Sequence, residues 1–265
     1  MNNALVFDGK AFAEKKQKDL LKILEKLPLK PKLVAILVGH NPESKLYLKL
    51  KQKKAKELGI NFEFKKFPDE QPKEVVGFIN EKNADTEVNG IIVELPLPKG
   101  FQILDSISPS KDVDCLTTEN LKLLAEGRPR FVPPTVKAVG EILGNKKGKI
   151  VVVGSNGNVG KGILSHLKKA QGIDLETKDL ALVTKNADIL ISATGIGHLI
   201  KKEMVKPGAV VIDVGIEKQK DGRLIGDVDF KQVLEIASFI TPVPGGVGPL
   251  TIICLMENLI QSMYY

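Results

Sequence analysis

The sequence predicts an α/β protein of two domains, each built on a parallel sheet that helices cover. Two observations predict this class. Short apolar runs alternate with amphipathic stretches in both halves of the chain, and a Pro-rich segment at 128–135 interrupts the alternation. Strands that alternate with helices indicate a parallel sheet. The length of 265 residues suits one large or two modest domains.

The first half of the chain alternates helix and strand. Residues 11–27 are amphipathic and predict a helix, and the apolar run 33–39 ends in glycine and predicts a buried strand. A turn at 41–44 leads into a helix of about 44–58, which Gly59 closes. The other elements predicted here are a strand at 60–66, a helix at 73–83 and a strand at 90–98.

A second α/β series follows the connector. Its predicted elements are a helix at about 135–144, a strand at 149–154, a helix at about 158–169, and strands at 187–195 and 209–215. The apolar tail predicts a helix that could return to pack on the first domain. We therefore expect one domain at 1–122, completed by the helix 248–265, and another at 123–247.

The amino-acid composition argues against several classes of function. The net charge is +7, but aromatic residues make up only 5% and Trp is absent, which argues against nucleic acid as a partner. The charge suits anionic small molecules better. No apolar run reaches the roughly 18 residues of a membrane helix, and the N-terminus has no secretion pattern. Cys115 and Cys254 are isolated, which predicts a reducing, cytoplasmic compartment and no metal site.

The segment KIVVVGSNGNVGKG is the sharpest local motif. A strand runs into Gly154, Gly157 and Gly160 and then into a helix, as in turns that bind a dinucleotide pyrophosphate. The spacing is Gly-x-x-Gly-x-x-Gly rather than Gly-x-Gly-x-x-Gly, so a tight turn without a ligand is the alternative. Asp174, 20 residues after Gly154, could accept from a ribose 2′-hydroxyl or be an ordinary loop aspartate.

Ser44, Tyr47 and Lys51 are predicted to share one face of a helix, at i, i+3 and i+7. A phenol and an ammonium four residues apart can share a hydrogen-bonded site. A lysine in such a site can act as a base or proton relay. The alternative is that Tyr47 packs and Lys51 belongs to a solvated, lysine-rich face.

Taken together, the motifs resemble a known family. The segments occur in one fixed order: ESKLYLKLKQKKAKELGI, VNGIIVELPLP, PSKDVDCLTTEN, the glycine turn, KPGAVVIDVGI, GDVDF and TPVPGGVGPLT. This order resembles bifunctional methylenetetrahydrofolate dehydrogenase/cyclohydrolase over essentially the whole chain. The resemblance implies an N-terminal catalytic domain, a Rossmann-like parallel-sheet dinucleotide-binding domain, a folate cleft between them, and a homodimer.

The resemblance also implies an activity and roles. Hydride would pass from 5,10-methylenetetrahydrofolate to NADP, the family's usual cofactor, or to NAD, and the methenyl product would be hydrolysed to 10-formyltetrahydrofolate. Lys51 would be the principal catalytic group, with Tyr47 and Glu94 beside it, and Asp114 would hold the pterin amino edge. Other residues expected to bind substrate are Ser44, Leu95, Pro244, Gly245, Gly246 and Pro249. Those expected to bind cofactor are Gly154, Ser155, Asn156, Gly157, Gly160, Asp174, Thr177 and Ile216.

The chain departs from the family pattern at several positions. Ser155 stands where the family has an arginine that clamps the 2′-phosphate of NADP, and the strand end at 171–176 lacks the expected His and Ser. Glu94 replaces a glutamine, Cys115 replaces a glycine, and the linker reads 133–136 Pro-Pro-Thr-Val. Two alternatives therefore stay open: a folate-binding paralogue with weak or absent redox activity, and a two-domain dehydrogenase for another substrate.

Overall fold

The computed structural model describes residues 4–69 and 71–265. The chain forms two compact units. We call residues 15–134 with 252–265 the three-stranded unit, and residues up to 14 with 135–251 the six-stranded unit. The sequence placed the domain boundaries after 122 and 247, and these remain a prediction.

The strands are short. In chain order they are β1 Leu5–Val6, β2 Lys32–Val38, β3 Asn61–Phe67, β4 Gly90–Val93, β5 Ile150–Val153, β6 Gln171–Ile173, β7 Ile189–Ser192, β8 Val210–Asp213, β9 Glu217–Lys218, β10 Leu224–Ile225 and β11 Phe239–Ile240. The helices are α1 Gly9–Leu24, α2 Pro42–Glu57, α3 Pro72–Ala84, α4 Thr118–Ala125, α5 Pro134–Leu143, α6 Asn158–His166, α7 Leu180–Lys185, α8 Phe230–Leu234 and α9 Val247–Ser262. None of the helices in the described part of the chain has the length and apolar character of a membrane-spanning segment.

The three-stranded unit has a parallel sheet in the order β3-β2-β4. The central strand β2 is buried along nearly its whole length, which explains its continuous apolar run. The predicted strand at 90–98 was too long, because β4 ends at Val93. Pro96 and Pro98 lack the N–H groups that a longer strand would need for pairing.

The last part of α9, from Ile252, belongs to the three-stranded unit. The buried Asn258 side chain donates hydrogen bonds to the carbonyls of Val113, at 2.9 Å, and Val132, at 2.8 Å. A side-chain amide thus pairs two loop carbonyls that burial would otherwise leave without donors. The helix thereby fixes the loop that carries Asp114.

The six-stranded unit has a parallel sheet in the order β1-β11-β8-β7-β5-β6. The predicted strands at 149–154, 187–195 and 209–215 are confirmed as β5, β7 and β8. The two-residue strands β1 and β11 were not predicted, because they are too short to carry a hydrophobic pattern. The hairpin β9–β10 and the short helices α7 and α8 were missed for the same reason.

Close packing at Gly160 leads to the first testable prediction. A Cβ atom on Gly160 would lie 2.1 Å from the carbonyl oxygen of Gly154, so Gly160→Ala should force α6 away from β5. We expect a loss of about 1–3 kcal/mol in the free energy of unfolding.

Gly77→Ala is the control: Gly77 is exposed within α3, and nothing lies within 4 Å of its Cβ position. This change should stabilise the chain by about 1 kcal/mol. Urea unfolding of both variants measures the difference, and a Gly160→Ala protein as stable as the parent contradicts the packing.

Candidate functional site

The start of α2 orients the predicted Ser44/Tyr47/Lys51 face. Asn41 caps the helix: its side-chain oxygen accepts hydrogen bonds from the backbone N–H groups of Glu43, at 2.9 Å, and Ser44, at 3.0 Å. Ser44 is buried, and Tyr47 and Lys51 are half-buried. The shared face is confirmed, and it points toward the protein rather than toward solvent.

Lys51 and Glu94 form a direct ion pair. Lys51 Nζ donates to Glu94 Oε1 at 2.7 Å, and the Glu94 side chain is only 4% exposed. The next residue is fixed as well, because Ser44 Oγ donates to the carbonyl of Leu95 at 2.8 Å. The helix α2 is therefore joined to the end of β4 at two successive positions.

Asp114 is a second carboxylate whose charge acts on Lys51. It is half-buried, and its side chain accepts no hydrogen bond within the part of the chain that the structure describes. Its loop is built around Asp112, whose buried carboxylate accepts from Leu116 N, Thr117 N, Thr117 Oγ1 and Asn120 Nδ2 at 2.7 to 3.0 Å. Asp114 is thus held by a rigid loop while its oxygens stay available to a ligand.

Cys115 follows Asp114 with a positive φ of 57°, a conformation that costs a residue with a Cβ atom more than it costs glycine. The buried Cys115 Sγ donates to the carbonyl of Phe131 at 3.3 Å. Burial raises the pKa of the Cys115 thiol to about 12, so the thiol is neutral at physiological pH. The family's glycine at this position is explained by the backbone, and the thiol provides a packing contact rather than a nucleophile.

Opposing effects set the charge of Lys51. Burial alone lowers the pKa of Lys51, but the charges of Asp114 and Glu94 outweigh it, and the pKa of Lys51 is raised above its ordinary value. Burial raises the pKa of Glu94 and of Asp114, against the opposing effect of Lys51. Burial and the charge of Glu43 raise the pKa of Tyr47. Lys51 is therefore an ammonium group at neutral pH, and Tyr47 is a neutral phenol.

The glycine turn in the six-stranded unit has the geometry of an anion site. Gly154 has a φ of 86°, and a Cβ atom there would lie 2.5 Å from the carbonyl oxygen of Ala193. Gly157 is different: its φ of −73° suits any residue, and no atom lies closer than 3.4 Å to its Cβ position. Gly157 precedes α6 without a side-chain cap, so the turn leaves backbone N–H groups of this helix open to a phosphate.

Asp174 closes this turn. Its Oδ2 accepts from the backbone N–H of Asn156 at 2.8 Å, and its Oδ1 accepts from Leu175 N at 2.9 Å. Thr177 Oγ1 accepts from the Asp174 backbone N–H at 2.9 Å. The side chain of Ser155 lies beside Gly172, where an added Cβ would be 2.8 Å from Ser155 Cβ. Asp174 therefore orders the backbone of this turn, and each of its oxygens keeps a lone pair for a hydroxyl group.

The remaining predicted residues also lie in the six-stranded unit. Pro244 follows a cis peptide bond, Gly245 has a φ of 105°, and a Cβ on Gly246 would lie 2.5 Å from the carbonyl of Pro242. Pro249 lies in the first turn of α9, and Ile216 is exposed just after β8. Sequence reasoning gave no role to Asp213 and Asp227, two buried carboxylates of the same unit. The sequence signal for Asp213 was an acidic residue at the end of an apolar strand, whereas Asp227 lies in a loop without such a signal.

Comparisons with known proteins identify the family. The model of the tetrahydrofolate dehydrogenase/cyclohydrolase catalytic domain matches residues 7–114, and that of the NAD(P)-binding domain matches residues 133–265. The chain belongs to the tetrahydrofolate dehydrogenase/cyclohydrolase family. The resemblance seen in the sequence and the two-domain α/β architecture with a Rossmann-like parallel sheet are thereby confirmed.

Individual members of the family are similar over nearly their full length. The bifunctional protein FolD of Aquifex aeolicus is 42% identical, over 98% of this chain and 95% of the relative. The FolD crystal structure from Campylobacter jejuni has a TM-score of 0.92 and 37% identity, covering 98% of this chain and 99% of the other. The Trypanosoma brucei enzyme, solved with NADP cofactor and an inhibitor, has a TM-score of 0.93 and 32% identity, covering 100% and 98%.

Proposed function

We propose that this chain oxidises 5,10-methylenetetrahydrofolate to the methenyl form with a nicotinamide cofactor and hydrolyses that product to 10-formyltetrahydrofolate. The observation that carries the proposal is the half-buried Lys51, held 2.7 Å from Glu94 and next to Tyr47 and Asp114, in a chain of the dehydrogenase/cyclohydrolase family. The test is an assay on 5,10-methylenetetrahydrofolate with NAD and NADP in parallel, followed by an assay of methenyl hydrolysis.

The same four side chains suit both steps. The bound nicotinamide supplies the hydride acceptor. As the hydride leaves, positive charge develops on the folate one-carbon unit, and the carboxylates of Asp114 and Glu94 stabilise it. Asp114 also accepts hydrogen bonds from the donor-rich pterin edge. In the hydrolysis, water adds to the methenyl carbon, and Lys51 in its amine form takes one proton from that water while Tyr47 orients the substrate. The bond from this carbon to N5 of the folate then breaks, the hydroxyl becomes the formyl carbonyl as its proton passes to N5, and Lys51 releases the first proton to solvent.

The cofactor-binding residues fit a dinucleotide. The open N-terminus of α6 and the unobstructed Gly157 would receive the pyrophosphate, and Asp174 would accept from the adenine-side ribose. The relative from Trypanosoma brucei was solved with NADP. In this chain Ser155 offers no positive charge to a 2′-phosphate, and the carboxylate of Asp174 would repel that group. We therefore infer weak discrimination between NADP and NAD.

Two further features rest on the resemblance. A homodimer is what the family likeness implies, and analytical ultracentrifugation of the purified chain would test it. A cytoplasmic location is supported by Cys115 and Cys254, which are buried and form no disulfide within the described part of the chain.

The first prediction from this proposal concerns Lys51. Lys51→Met should leave a folded protein whose dehydrogenase is reduced and whose cyclohydrolase falls by at least about 100-fold, because the proton acceptor is removed. Lys49→Met is the matched control, since Lys49 is exposed on the same helix. Steady-state rates of the dehydrogenase and cyclohydrolase reactions are measured for the parent and for both variants. A folded Lys51→Met protein with parental rates contradicts the assignment.

The second prediction concerns cofactor choice. Dissociation constants for NADP and NAD should be similar in the parent, and Ser155→Arg should tighten NADP relative to NAD by roughly tenfold, through a charge-assisted bond to the 2′-phosphate. Isothermal titration calorimetry with both cofactors gives the ratio. A strong NADP preference in the parent would refute the idea. Lys178→Met would then show whether that lysine supplies the missing positive charge.

The third prediction concerns Glu94. An ionised Glu94 raises the pKa of Lys51, so the amine form of Lys51 increases only at high pH. In Glu94→Gln the pKa of Lys51 falls, and methenyl hydrolysis should reach its maximum at lower pH, with roughly a tenfold gain at neutral pH for each unit that the pKa falls. Dehydrogenase activity should change less. Glu126→Gln, a change at an ion pair near the surface, is the control. A Glu94→Gln enzyme no faster than the parent at neutral pH would count against the coupling.

A further inference from the structure

Two carboxylates are buried where strands of the larger sheet end. Asp213 is the last residue of β8, and Asp227 precedes α8; they are 3% and 0% exposed. Gly215 and Gly226 pack directly on them. A Cβ atom on Gly215 would lie 1.7 Å from Asp227 Oδ1, and one on Gly226 would lie 2.0 Å from Asp213 Oδ2. The two glycines are therefore needed for the carboxylates to fit.

The pair joins three separate segments. Asp213 accepts from the backbone N–H groups of Gly215 and Asp227, both at 3.1 Å, and of Val228 at 2.9 Å. Asp227 Oδ2 accepts from Ser192 Oγ and from Thr194 N, both at 2.7 Å. The segments that follow β7 and β8 are thus both tied to the chain around 226–228.

The charge of this pair is not compensated. Within residues 4–69 and 71–265, neither carboxylate forms an ion pair, and Asp227 Oδ1 has no hydrogen-bond partner. Burial, together with the charge of Asp227, raises the pKa of Asp213 to about 7, although backbone N–H groups oppose the rise. Buried charge without a partner is costly and is retained where it serves a purpose. A cation bound near the pair would offset this cost.

The position of the pair indicates which cation. A Cβ atom on Gly154 would lie 3.1 Å from Thr194 N, so the segment that Asp227 holds lies against the glycine turn. In this type of fold the pyrophosphate binds at that turn and one ribose binds at the end of the next strand, here β6 with Asp174. The other half of a bound dinucleotide would then lie over the ends of β7 and β8. The oxidised nicotinamide ring is a cation, and the reduced ring is neutral.

We propose that Asp213 and Asp227 are positioning residues that select the oxidised nicotinamide ring, because their buried negative charge compensates the positive charge of that ring. They also fix the segments after β7 and β8 on which the ring lies. This inference rests on the proposed function, since it requires a nicotinamide cofactor. Asp213 and Asp227 would thus set the preference for the oxidised cofactor without taking part in the chemical step.

The substitution Asp227→Asn removes the negative charge of this side chain while its hydrogen bonds can be kept. The amide oxygen can take the place of Oδ2 and keep the bonds from Ser192 and Thr194, while the NH₂ group takes the place of the unpartnered Oδ1. Asp213 offers no such exchange, because both of its oxygens accept from backbone N–H groups. Asp221→Asn is the control: it removes an exposed carboxylate of the same unit, one paired with Arg223.

The experiment measures the dissociation constants of the oxidised cofactor, NADP or NAD, and of its reduced form. Isothermal titration calorimetry is carried out on the full chain. A buffer at about pH 8, above the raised pKa of Asp213, favours its ionised form. Asp227→Asn should weaken binding of the oxidised form by about tenfold and change that of the reduced form by less than about twofold. Asp221→Asn should match the parent throughout.

Equal weakening of both forms would overturn the inference, because it would mean that the pair only holds the segments in place. Unchanged binding of both forms would overturn it as well. If Asp227→Asn does not fold, Asp213→Asn is measured by the same criterion, the ratio of the two dissociation constants. A parent that binds neither form refutes the proposed function itself, whereas a parent that binds both with a ratio unaffected by these variants refutes only the selection of the oxidised ring.

Discussion

The ion pair between Lys51 and Glu94 is the interaction on which the rest of the catalytic account depends. It lies where α2 meets the end of β4, and its short distance follows from the capped start of the helix and from the bond of Ser44 to Leu95. Burial strengthens this attraction and also makes each charge costly without its partner. With Asp114 nearby, one cation faces two carboxylates, so the cluster carries net negative charge whenever all three groups are ionised.

Buried carboxylates that outnumber nearby cations recur in both units. In the three-stranded unit they surround Lys51, and in the six-stranded unit they belong to Asp213 and Asp227, without a cation among the described residues. The proposed reaction moves positive charge from the nicotinamide ring to the folate one-carbon unit. Negative charge at both places would stabilise the cation before and after the transfer. The chemistry therefore accounts for carboxylates that the fold alone does not need.

Much of the fold and of the candidate site could be predicted from the sequence. The predictions succeeded where a pattern within a few neighbouring residues has a direct physical cause. The 3.6-residue period placed Ser44, Tyr47 and Lys51 on one face, and the glycine spacing located the turn after β5. The two-residue strands β1 and β11 escaped prediction, because their partners are distant in sequence. So did the hydrogen bond from Asn156 to Asp174 and the burial of Asp213 beside Asp227, which depend on tertiary packing that no local pattern encodes.

The central claim is that Glu94 keeps Lys51 charged, and the proton affinity of Lys51 tests it most directly. Selective ¹³C labelling of lysine side chains, with Lys51→Met to assign the signal, allows the Lys51 Cε resonance to be titrated by NMR. The account predicts a midpoint above the ordinary lysine value of 10.5 in the parent and a lower midpoint in Glu94→Gln. A parental midpoint near neutral pH, or one that Glu94→Gln does not lower, would contradict it.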